Sequence, residues 1–246
     1  AACKGNGCDV VVAFGGGSAI DAAKGIAFLA SGDVKLEESF APNEVVRPVS
    51  QIVAIPTTCG TGSEVTRYSV ITDVAARKKR TIFGLPLLPK VALLDPAFLD
   101  NLSGQMVAYT GFDALSHSFE ALLSKTSHKI SDMFAIESIT EICRNLAAAH
   151  GGSPESRERV FYGSMLGGMA INTTGTVLVH GMGYYLTNYH AVHHGLANSV
   201  LLPYVLRFEG DCIGGKLLKI AANLGLRDAS GLLDHVEVIA DEIGIP

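Results

Sequence analysis

The chain has 246 residues, of which 48% are hydrophobic, and a formal net charge of -5. This length and composition predict a globular protein of one or two domains with a sizeable buried core. The acidic balance and the single short basic run, residues 77–80, argue against nucleic acid as a partner. The five cysteines are scattered without a Cys-x-x-Cys pair, which predicts reduced thiols and a cytoplasmic location.

A long stretch without charged residues, residues 160–206, raises the question of a membrane span. Glycine, asparagine, threonine, proline and four histidines interrupt it. We therefore predict no membrane contact, and helices that are buried on nearly all sides in a soluble core. The chain begins with Ala1 and shows no signal peptide, so we expect that its true N-terminus was lost or that it was cut from a longer chain.

The first predicted element is a β-branched strand, residues 9–14, followed by a glycine turn and a helix over residues 19–30. Strand, glycine turn and helix are typical of a phosphate-binding site, because glycines let the backbone approach an anion and the helix N-terminus attracts it. A glycine-rich strand exit is also common in proteins without such a site. The turn alone leaves both interpretations open.

A second strand, residues 51–55, runs into a segment rich in hydroxyl groups and glycine, residues 56–64. In an open α/β sheet, ligands bind at the carboxyl ends of the strands, and threonine hydroxyls suit ribose and amide groups. The alternative is an ordinary turn cluster. Two such strand exits in one chain favour a nucleotide site.

Further strands are predicted at residues 69–73 and 91–95, with Lys79 between them in a solvated basic turn or in contact with a cofactor. After residue 103 the pattern becomes helical. The sequence therefore predicts an α/β domain over residues 1–103 and an all-α domain over residues 104–246. The predicted helices cover residues 105–124, 130–149, a segment capped by Ser153 and Pro154, 176–186, 194–209, 216–224 and 231–243.

The helical part contains an aspartate and a histidine four residues apart, Asp113 and His117. Residues at this spacing share a helix face, and a divalent cation is a common reason to combine a carboxylate with an imidazole. His180 and His194 lie in the uncharged stretch, where an unpaired imidazole would be costly. An aspartate and three histidines would surround a metal and leave a position for a substrate oxygen, although a lone buried histidine is more often a hydrogen-bonded core residue.

Several motifs, taken together and in order, carry a resemblance to a known family. They are Gly15-Gly16-Gly17-Ser18 with Asp21, Pro56-Thr57-Thr58-x-Gly-Thr-Gly-Ser-Glu64, Leu94-Asp95-Pro96, Gly111-x-Asp113-Ala-Leu-x-His117, His180 and His194-Gly195-x-Ala-Asn198. Across nearly the whole chain they resemble the iron-containing, or group III, alcohol dehydrogenases.

The resemblance implies a Rossmann-like dinucleotide-binding domain, incomplete at its start, followed by an all-α metal-binding domain. This is a dehydroquinate synthase-like architecture, with an active site in the cleft between the domains. Because family members extend beyond both ends of this chain, we expect N-terminal and C-terminal portions to be missing. The resemblance also implies a homo-oligomer, a dimer or larger.

The same resemblance assigns roles to individual residues. The implied metal ligands are Asp113, His117, His180 and His194, for Fe²⁺ or Zn²⁺. The implied contacts to NAD or NADP are Gly16, Gly17, Ser18, Asp21, Thr57, Thr58, Thr61, Thr66 and Lys79. Many relatives have a second histidine where this chain has Tyr184, whose phenol can still relay a proton.

The expected reaction is hydride transfer between the nicotinamide and a small alcohol or aldehyde, with the metal binding the substrate oxygen. Activity should fall in acid, because imidazoles must be neutral to bind a metal. We expect His194 rather than His193 to be a ligand, with His190 and His193 in supporting positions. Glu120 either orients a ligand imidazole or, as we expect, faces solvent.

Two alternatives stay open. One is a related metal- and NAD-dependent enzyme of the glycerol dehydrogenase or dehydroquinate synthase type, which the Asp-x-x-x-His pair and the scarcity of basic residues disfavour. The other is a catalytically impaired remnant that binds a cofactor or forms oligomers.

Overall fold

The computed structural model describes residues 2–32, 35–74, 76 and 78–246, without the side chains of residues 37 and 38. Arg77, the first residue of the basic run, lies outside the described residues. The chain divides into two compact units, one of Ala1–Thr58 with Ser63–Phe98 and one of Cys59–Gly62 with Leu99–Pro246.

The first unit is of the α/β type. Its strands and helices are α1 (Ala2–Gly5), β1 (Val10–Gly15), α2 (Gly17–Ala30), β2 (Gln51–Pro56), β3 (Tyr68–Asp73), β4 (Lys78–Phe83) and β5 (Val91–Ala92). A parallel sheet has the order β1-β2-β5, and β3 pairs with β4 in an antiparallel hairpin. Parallel neighbours need a crossover, and α2 lies in the one between β1 and β2.

Helix α2 packs on the sheet through small and branched side chains. Ile20 and Ala23 of α2 form a buried cluster with Ala13 of β1 and Ala54 of β2. The small side chains bring the helix close to the strands. The register that pairs Gly15 with Pro56 ends both strands at the same edge, so the two predicted ligand-binding segments begin side by side.

The segment around Lys79 differs from the prediction. Lys79 lies within strand β4, opposite Thr72 of β3, and not in a turn between strands. The prediction of a turn was wrong because consecutive basic residues look solvated in sequence. In an antiparallel hairpin such residues can occupy a strand, since one of its faces can remain in water.

A buried lysine holds the irregular segment before β3. Lys24 of α2 is 0% exposed, and its ammonium group donates to the carbonyl oxygens of Ser63 at 2.7 Å, Thr66 at 2.8 Å and Tyr68 at 2.6 Å. Burial lowers the pKa of Lys24 to about 8, although the carboxylates of Asp21 and Glu64 oppose this shift. One side chain therefore fixes three backbone carbonyls of the segment.

In the described part of the second unit, all regular secondary structure is helical. Its helices are α3 (Gly104–Leu123), α4 (Lys129–His150), α5 (Pro154–Thr174), α6 (Leu178–His190), α7 (His194–Glu209), α8 (Gly214–Asn223) and α9 (Ala229–Glu242). Helix α3 packs against α4, α5 and α7 and is buried along most of its length. The predicted cap of α5 is confirmed, since the Ser153 side chain accepts from the Ser156 N–H and Pro154 opens the helix.

The predicted order of an α/β part followed by an all-α part is confirmed. The expectation that the uncharged stretch is buried on nearly all sides was wrong for α6 and the end of α7. Tyr185 and Tyr189 of α6 are 59% and 58% exposed, and Tyr204 of α7 is 73% exposed. Tyrosine carries no charge but tolerates water at its hydroxyl end, so a lack of charge does not establish burial.

Among the described residues, no helix is sufficiently long and apolar to cross a membrane.

Replacing Lys24 with methionine keeps a long side chain but leaves buried carbonyl oxygens without their donor. We expect the free energy of unfolding to fall by about 3 kcal/mol, measured by urea denaturation followed by circular dichroism. The exposed Lys90 provides the matched Lys90→Met control, for which a change below about 0.5 kcal/mol is expected. Equal losses in the two variants would contradict the proposed anchoring.

Candidate functional site

The four predicted metal ligands all lie in the helical unit. Asp113 and His117 occupy successive turns of α3, His180 lies in the first turn of α6, and His194 opens α7. Asp113, His117 and His180 are buried, whereas the side chain of His194 is 29% exposed. Three helices thus contribute side chains to one place in the unit.

The ligand atoms of these residues lie close together. One such atom from each of Asp113, His117 and His180 lies within 4.8 Å of the other two. The His194 Nε2 atom is 3.8 Å from Asp113 Oδ1, and His180 Nε2 is 3.6 Å from the same oxygen. The structure therefore brings together residues that are separated by up to 81 positions in the chain (113 to 194).

Hydrogen bonds leave one nitrogen of each of two imidazoles directed to the cluster. His117 Nδ1 is 3.2 Å from the Gly60 carbonyl oxygen, and His180 Nδ1 contacts the Glu120 carboxylate. Both partners are acceptors, so each Nδ1 carries a proton. In the neutral imidazoles, Nε2 is then left with a lone pair, which is the tautomer that a metal requires.

The structure places Glu120 differently from the prediction that it faces solvent. Glu120 is 0% exposed and accepts hydrogen bonds from the Val177 N–H at 2.8 Å and the His180 N–H at 3.2 Å, besides the His180 imidazole. The prediction was wrong because an isolated glutamate is usually solvated. The signal was its spacing, since Asp113, His117 and Glu120 follow at intervals of four and three on one helix face.

Burial and charge act in opposite directions on the neighbouring groups. Burial lowers the pKa of His117 to about 4, despite the nearby Asp113 carboxylate. Burial also opposes protonation of His180, but the hydrogen bond and charge of Glu120, together with Asp113, raise the pKa of His180 above its usual value. The pKa of Asp113 is lowered, because the three imidazoles and the Asn198 amide outweigh its burial.

The chemistry of this donor set fits a divalent transition-metal ion. One carboxylate and three imidazoles are ligands that suit iron and zinc. The Glu120 contact to His180 is the carboxylate–histidine arrangement that commonly orients a metal ligand. Both the donor atoms and their partners therefore match a metal centre.

Contacts with aromatic rings distinguish His194 from the nearby His190 and His193. The Tyr184 ring stacks on His194, with 5.6 Å between centroids, and meets His180 edge-on at 6.3 Å. His193 is exposed and lies against Tyr109, while exposed His190 lies against Tyr185. The structure brings His194, and not His193, into the cluster.

Some of the residues predicted to bind the cofactor lie together at one edge of the parallel sheet in the α/β unit. Gly16 caps α2, and Gly17 and Ser18 begin the helix. A Cβ atom on Gly16 would lie 3.1 Å from the Thr58 side chain, and the Thr57 N–H donates to the Gly15 carbonyl at 3.1 Å. The glycine turn and the threonine pair are therefore adjacent, and a side chain at Gly16 would be tight against Thr58.

The remaining predicted cofactor residues have other surroundings. The Asp21 carboxylate accepts from the Ser63 hydroxyl at 2.6 Å and the Val70 N–H at 3.0 Å. Thr66 is buried, with its hydroxyl 3.3 Å from the Lys24 ammonium. Lys79 lies on β4. Thr61 lies in the short segment that belongs to the helical unit.

The α/β unit thus has a candidate nucleotide site at its glycine turn, and the helical unit has an aspartate–histidine cluster that could hold a metal ion. The sequence profile described as "Iron-containing alcohol dehydrogenase" matches residues 1–96. The profile described as "Fe-containing alcohol dehydrogenase family, C-terminal" matches residues 107–246. The chain belongs to the iron-containing alcohol dehydrogenase family, as the sequence motifs predicted.

Individual relatives agree with this assignment. The chain is 37% identical to 1,3-propanediol dehydrogenase of Citrobacter freundii, over 97% of its own length and 64% of the relative's. It is 34% identical to lactaldehyde reductase of Escherichia coli, over 98% of its length and 66% of the relative's. The chain thus spans less than two thirds of the length of these relatives.

Solved structures give the same picture. A 1,3-propanediol oxidoreductase matches with a TM-score of 0.93 at 35% identity, over 99% of this chain and 66% of that one. A sulfoacetaldehyde reductase from Bifidobacterium kashiwanohense, solved in complex with NAD+, matches with a TM-score of 0.91 at 31% identity, over 100% of this chain and 66% of that one.

Replacing Glu120 with glutamine keeps the size of the side chain and removes the charge that raises the pKa of His180. We expect the pKa of His180 to fall, so that its imidazole loses its proton at a lower pH than in the unchanged protein. Nuclear magnetic resonance titration of the imidazole C–H signals in chelator-treated protein measures this. Glu137→Gln, at an exposed glutamate of α4, is the matched control. A His180 titration that is the same in both variants would contradict the role of Glu120.

Proposed function

We propose that this protein is a metal-dependent alcohol dehydrogenase or aldehyde reductase. It transfers a hydride between NAD or NADP and a small alcohol or aldehyde. The observation that carries the proposal is the cluster of Asp113, His117 and His180, with His194 Nε2 3.8 Å from Asp113 Oδ1. The rings of His117 and His180 are held by hydrogen bonds at Nδ1. The similarity to a propanediol dehydrogenase and a lactaldehyde reductase supports a small substrate.

The four clustered residues are the proposed metal ligands, with Fe²⁺ as the first candidate and Zn²⁺ as the second. When bound, a divalent cation supplies Lewis acidity to an alcohol or aldehyde oxygen. Asp113 contributes the negative charge that retains the cation, and His117 is neutral at physiological pH because its pKa is about 4. Glu120 orients the His180 ring so that Nε2 faces the cluster.

Tyr184 is the proposed proton relay. Its ring stacks on His194 and lies beside His180. A phenol hydroxyl both donates and accepts a hydrogen bond, so it can pass a proton between a substrate oxygen and solvent. Tyr184 is partly exposed, which gives its side chain access to water.

The α/β part, residues 1–103, is the proposed dinucleotide-binding domain, and residues 104–246 are the proposed metal and substrate domain. Gly16, Gly17 and Ser18 are proposed to bind the pyrophosphate, since the N-terminus of α2 follows the glycine turn. Thr57, Thr58 and Thr61 are proposed contacts to the rest of the cofactor. Asp21, Thr66 and Lys79 complete the proposed set, although the first two already have buried partners.

The similar sulfoacetaldehyde reductase was solved in complex with NAD+, and this supports NAD as the cofactor to test first. The described cysteines are free thiols, which supports a cytoplasmic location. Assembly into a homo-oligomer remains a prediction.

The ligand assignment predicts a sharp difference between adjacent histidines. His194→Ala should abolish bound metal and turnover, because it removes a ligand, whereas the control His193→Ala changes an exposed ring outside the cluster and should retain both. Elemental mass spectrometry measures bound iron and zinc, and NADH oxidation with short aldehydes measures turnover. NADH affinity should be similar in both variants.

Other outcomes discriminate among the candidate functions. Full turnover by the His194→Ala protein without metal would refute the metal-dependent assignment. A folded, metal-loaded unchanged protein with no turnover toward aldehydes or alcohols would favour the non-catalytic alternative.

The glycine turn predicts a separate effect on cofactor binding. Gly17→Val adds a branched side chain at the first residue of α2, where the backbone must approach a phosphate, so the dissociation constant for NADH should rise at least about tenfold. Fluorescence titration with NADH measures it, and metal content serves as the internal control. An unchanged dissociation constant would refute the role of the turn.

A further inference from the structure

Asn198 is a buried polar side chain that contacts three of the four proposed ligands. It lies on α7, one turn beyond His194, and is 0% exposed. Its Nδ2 atom donates to Asp113 Oδ1 at 2.7 Å and lies 3.1 Å from His180 Nε2 and 3.4 Å from His194 Nε2. These are the atoms that the proposed metal site uses.

The chemistry of the amide fixes its orientation. The Asp113 carboxylate only accepts hydrogen bonds when ionised, so the NH₂ end of Asn198 must face it. His180 Nδ1 is occupied by Glu120, so its Nε2 lone pair can accept the second N–H. A flipped amide would set a carbonyl oxygen against the carboxylate.

The other end of the amide is held by close packing. Among the described residues, Asn198 Oδ1 has no hydrogen-bond donor. It lies close to Gly183 of α6, where a Cβ atom would be 2.2 Å from Oδ1. The absence of a side chain at Gly183 is therefore what lets the amide reach the ligands. Leaving a buried amide oxygen without a donor costs free energy, and here the amide nitrogen lies beside three of the proposed ligands. This orientation indicates that Asn198 has more than a packing role.

We propose that Asn198 is the positioning residue of the metal centre and so sets the affinity for a divalent cation. Its N–H to Asp113 Oδ1 holds the carboxylate in place. In the metal-free protein its second N–H keeps the Nε2 lone pair of His180 turned to the cluster, until a cation takes that lone pair. This inference rests on the proposed metal-dependent function. It assigns the hydrogen bond from Asn198 to Asp113, which can persist when a cation takes the imidazole lone pairs, as a contributor to the affinity of the site beside the ligands themselves.

The test measures metal affinity directly. Chelator-treated protein is titrated with Zn²⁺ in competition with a chromogenic chelator, for the unchanged chain and for Asn198→Ala. Loss of a partner that orients metal ligands commonly weakens binding about 10- to 100-fold, and we expect a loss in this range.

The matched control is Ser199→Ala. Ser199 is the adjacent buried residue of α7, and its hydroxyl donates to the Gly195 carbonyl within the same helix. Ser199→Ala should cost stability without changing Zn²⁺ affinity. Equal losses of affinity in the alanine variants at 198 and 199 would overturn the inference.

A second variant keeps the amide and moves it. Gly183→Ala places a methyl group against Asn198 Oδ1, and alanine is well tolerated in a helix. This variant should also weaken Zn²⁺ binding, and it tests the inference even if Asn198→Ala does not fold.

Spectra of Co²⁺-loaded protein separate positioning from general destabilisation. The visible absorption of Co²⁺ depends on the geometry of its ligands, so it should change in Asn198→Ala and Gly183→Ala but not in Ser199→Ala. If the unchanged protein binds neither Zn²⁺ nor Co²⁺, both the proposed function and this inference fail. If it binds them, and Asn198→Ala and Gly183→Ala match it in affinity and spectrum, only the role of Asn198 is overturned.

Discussion

The Glu120 carboxylate, buried on α3, is the contact on which the arrangement of the histidine cluster depends. The residue before α6, Val177, provides no side-chain cap for that helix. Glu120 instead accepts the N–H groups of Val177 and His180, together with the His180 imidazole. A negative charge at a helix N-terminus is favourable, so this one contact both joins α6 to α3 and sets the tautomer of His180, a proposed ligand. Removing a partner from a buried pair of this kind costs about 3–5 kcal/mol.

The α/β unit uses a buried charge of the opposite sign in a similar way. The Lys24 ammonium donates hydrogen bonds to the carbonyls of Ser63, Thr66 and Tyr68. The nearby Asp21 carboxylate accepts from the Ser63 hydroxyl and the Val70 N–H. Both units thus place a buried ion where backbone groups of an irregular segment need partners. Each ion stays buried because several hydrogen bonds replace its hydration.

Sequence periodicity identified most of the elements, because a strand or a helix leaves a local repeat. The glycine turn before α2 and the pair Asp113 and His117 were recognised for the same reason, since both depend on neighbours within four residues. Strand β4 was missed because it begins Lys-Lys-Arg, and its strand conformation comes from pairing with β3 rather than from its own pattern. The spacing places Glu120 on the same face of α3 as Asp113 and His117. That this face is buried at Glu120 follows only from the packing of α6 against it.

The convergence of α3, α6 and α7 could not be obtained from local spacing. Glu120 and His180 are 60 residues apart, and Asp113 and Asn198 are 85 apart. What brings these helices together is partly the lack of side chains at two glycines. A Cβ on Gly195 would lie 2.3 Å from the Tyr109 carbonyl of α3, as one on Gly183 would lie 2.2 Å from Asn198. A substitution at either glycine would shift the proposed ligands while leaving all four unchanged in sequence, so the arrangement of the site depends on these two glycines as well as on the proposed ligands.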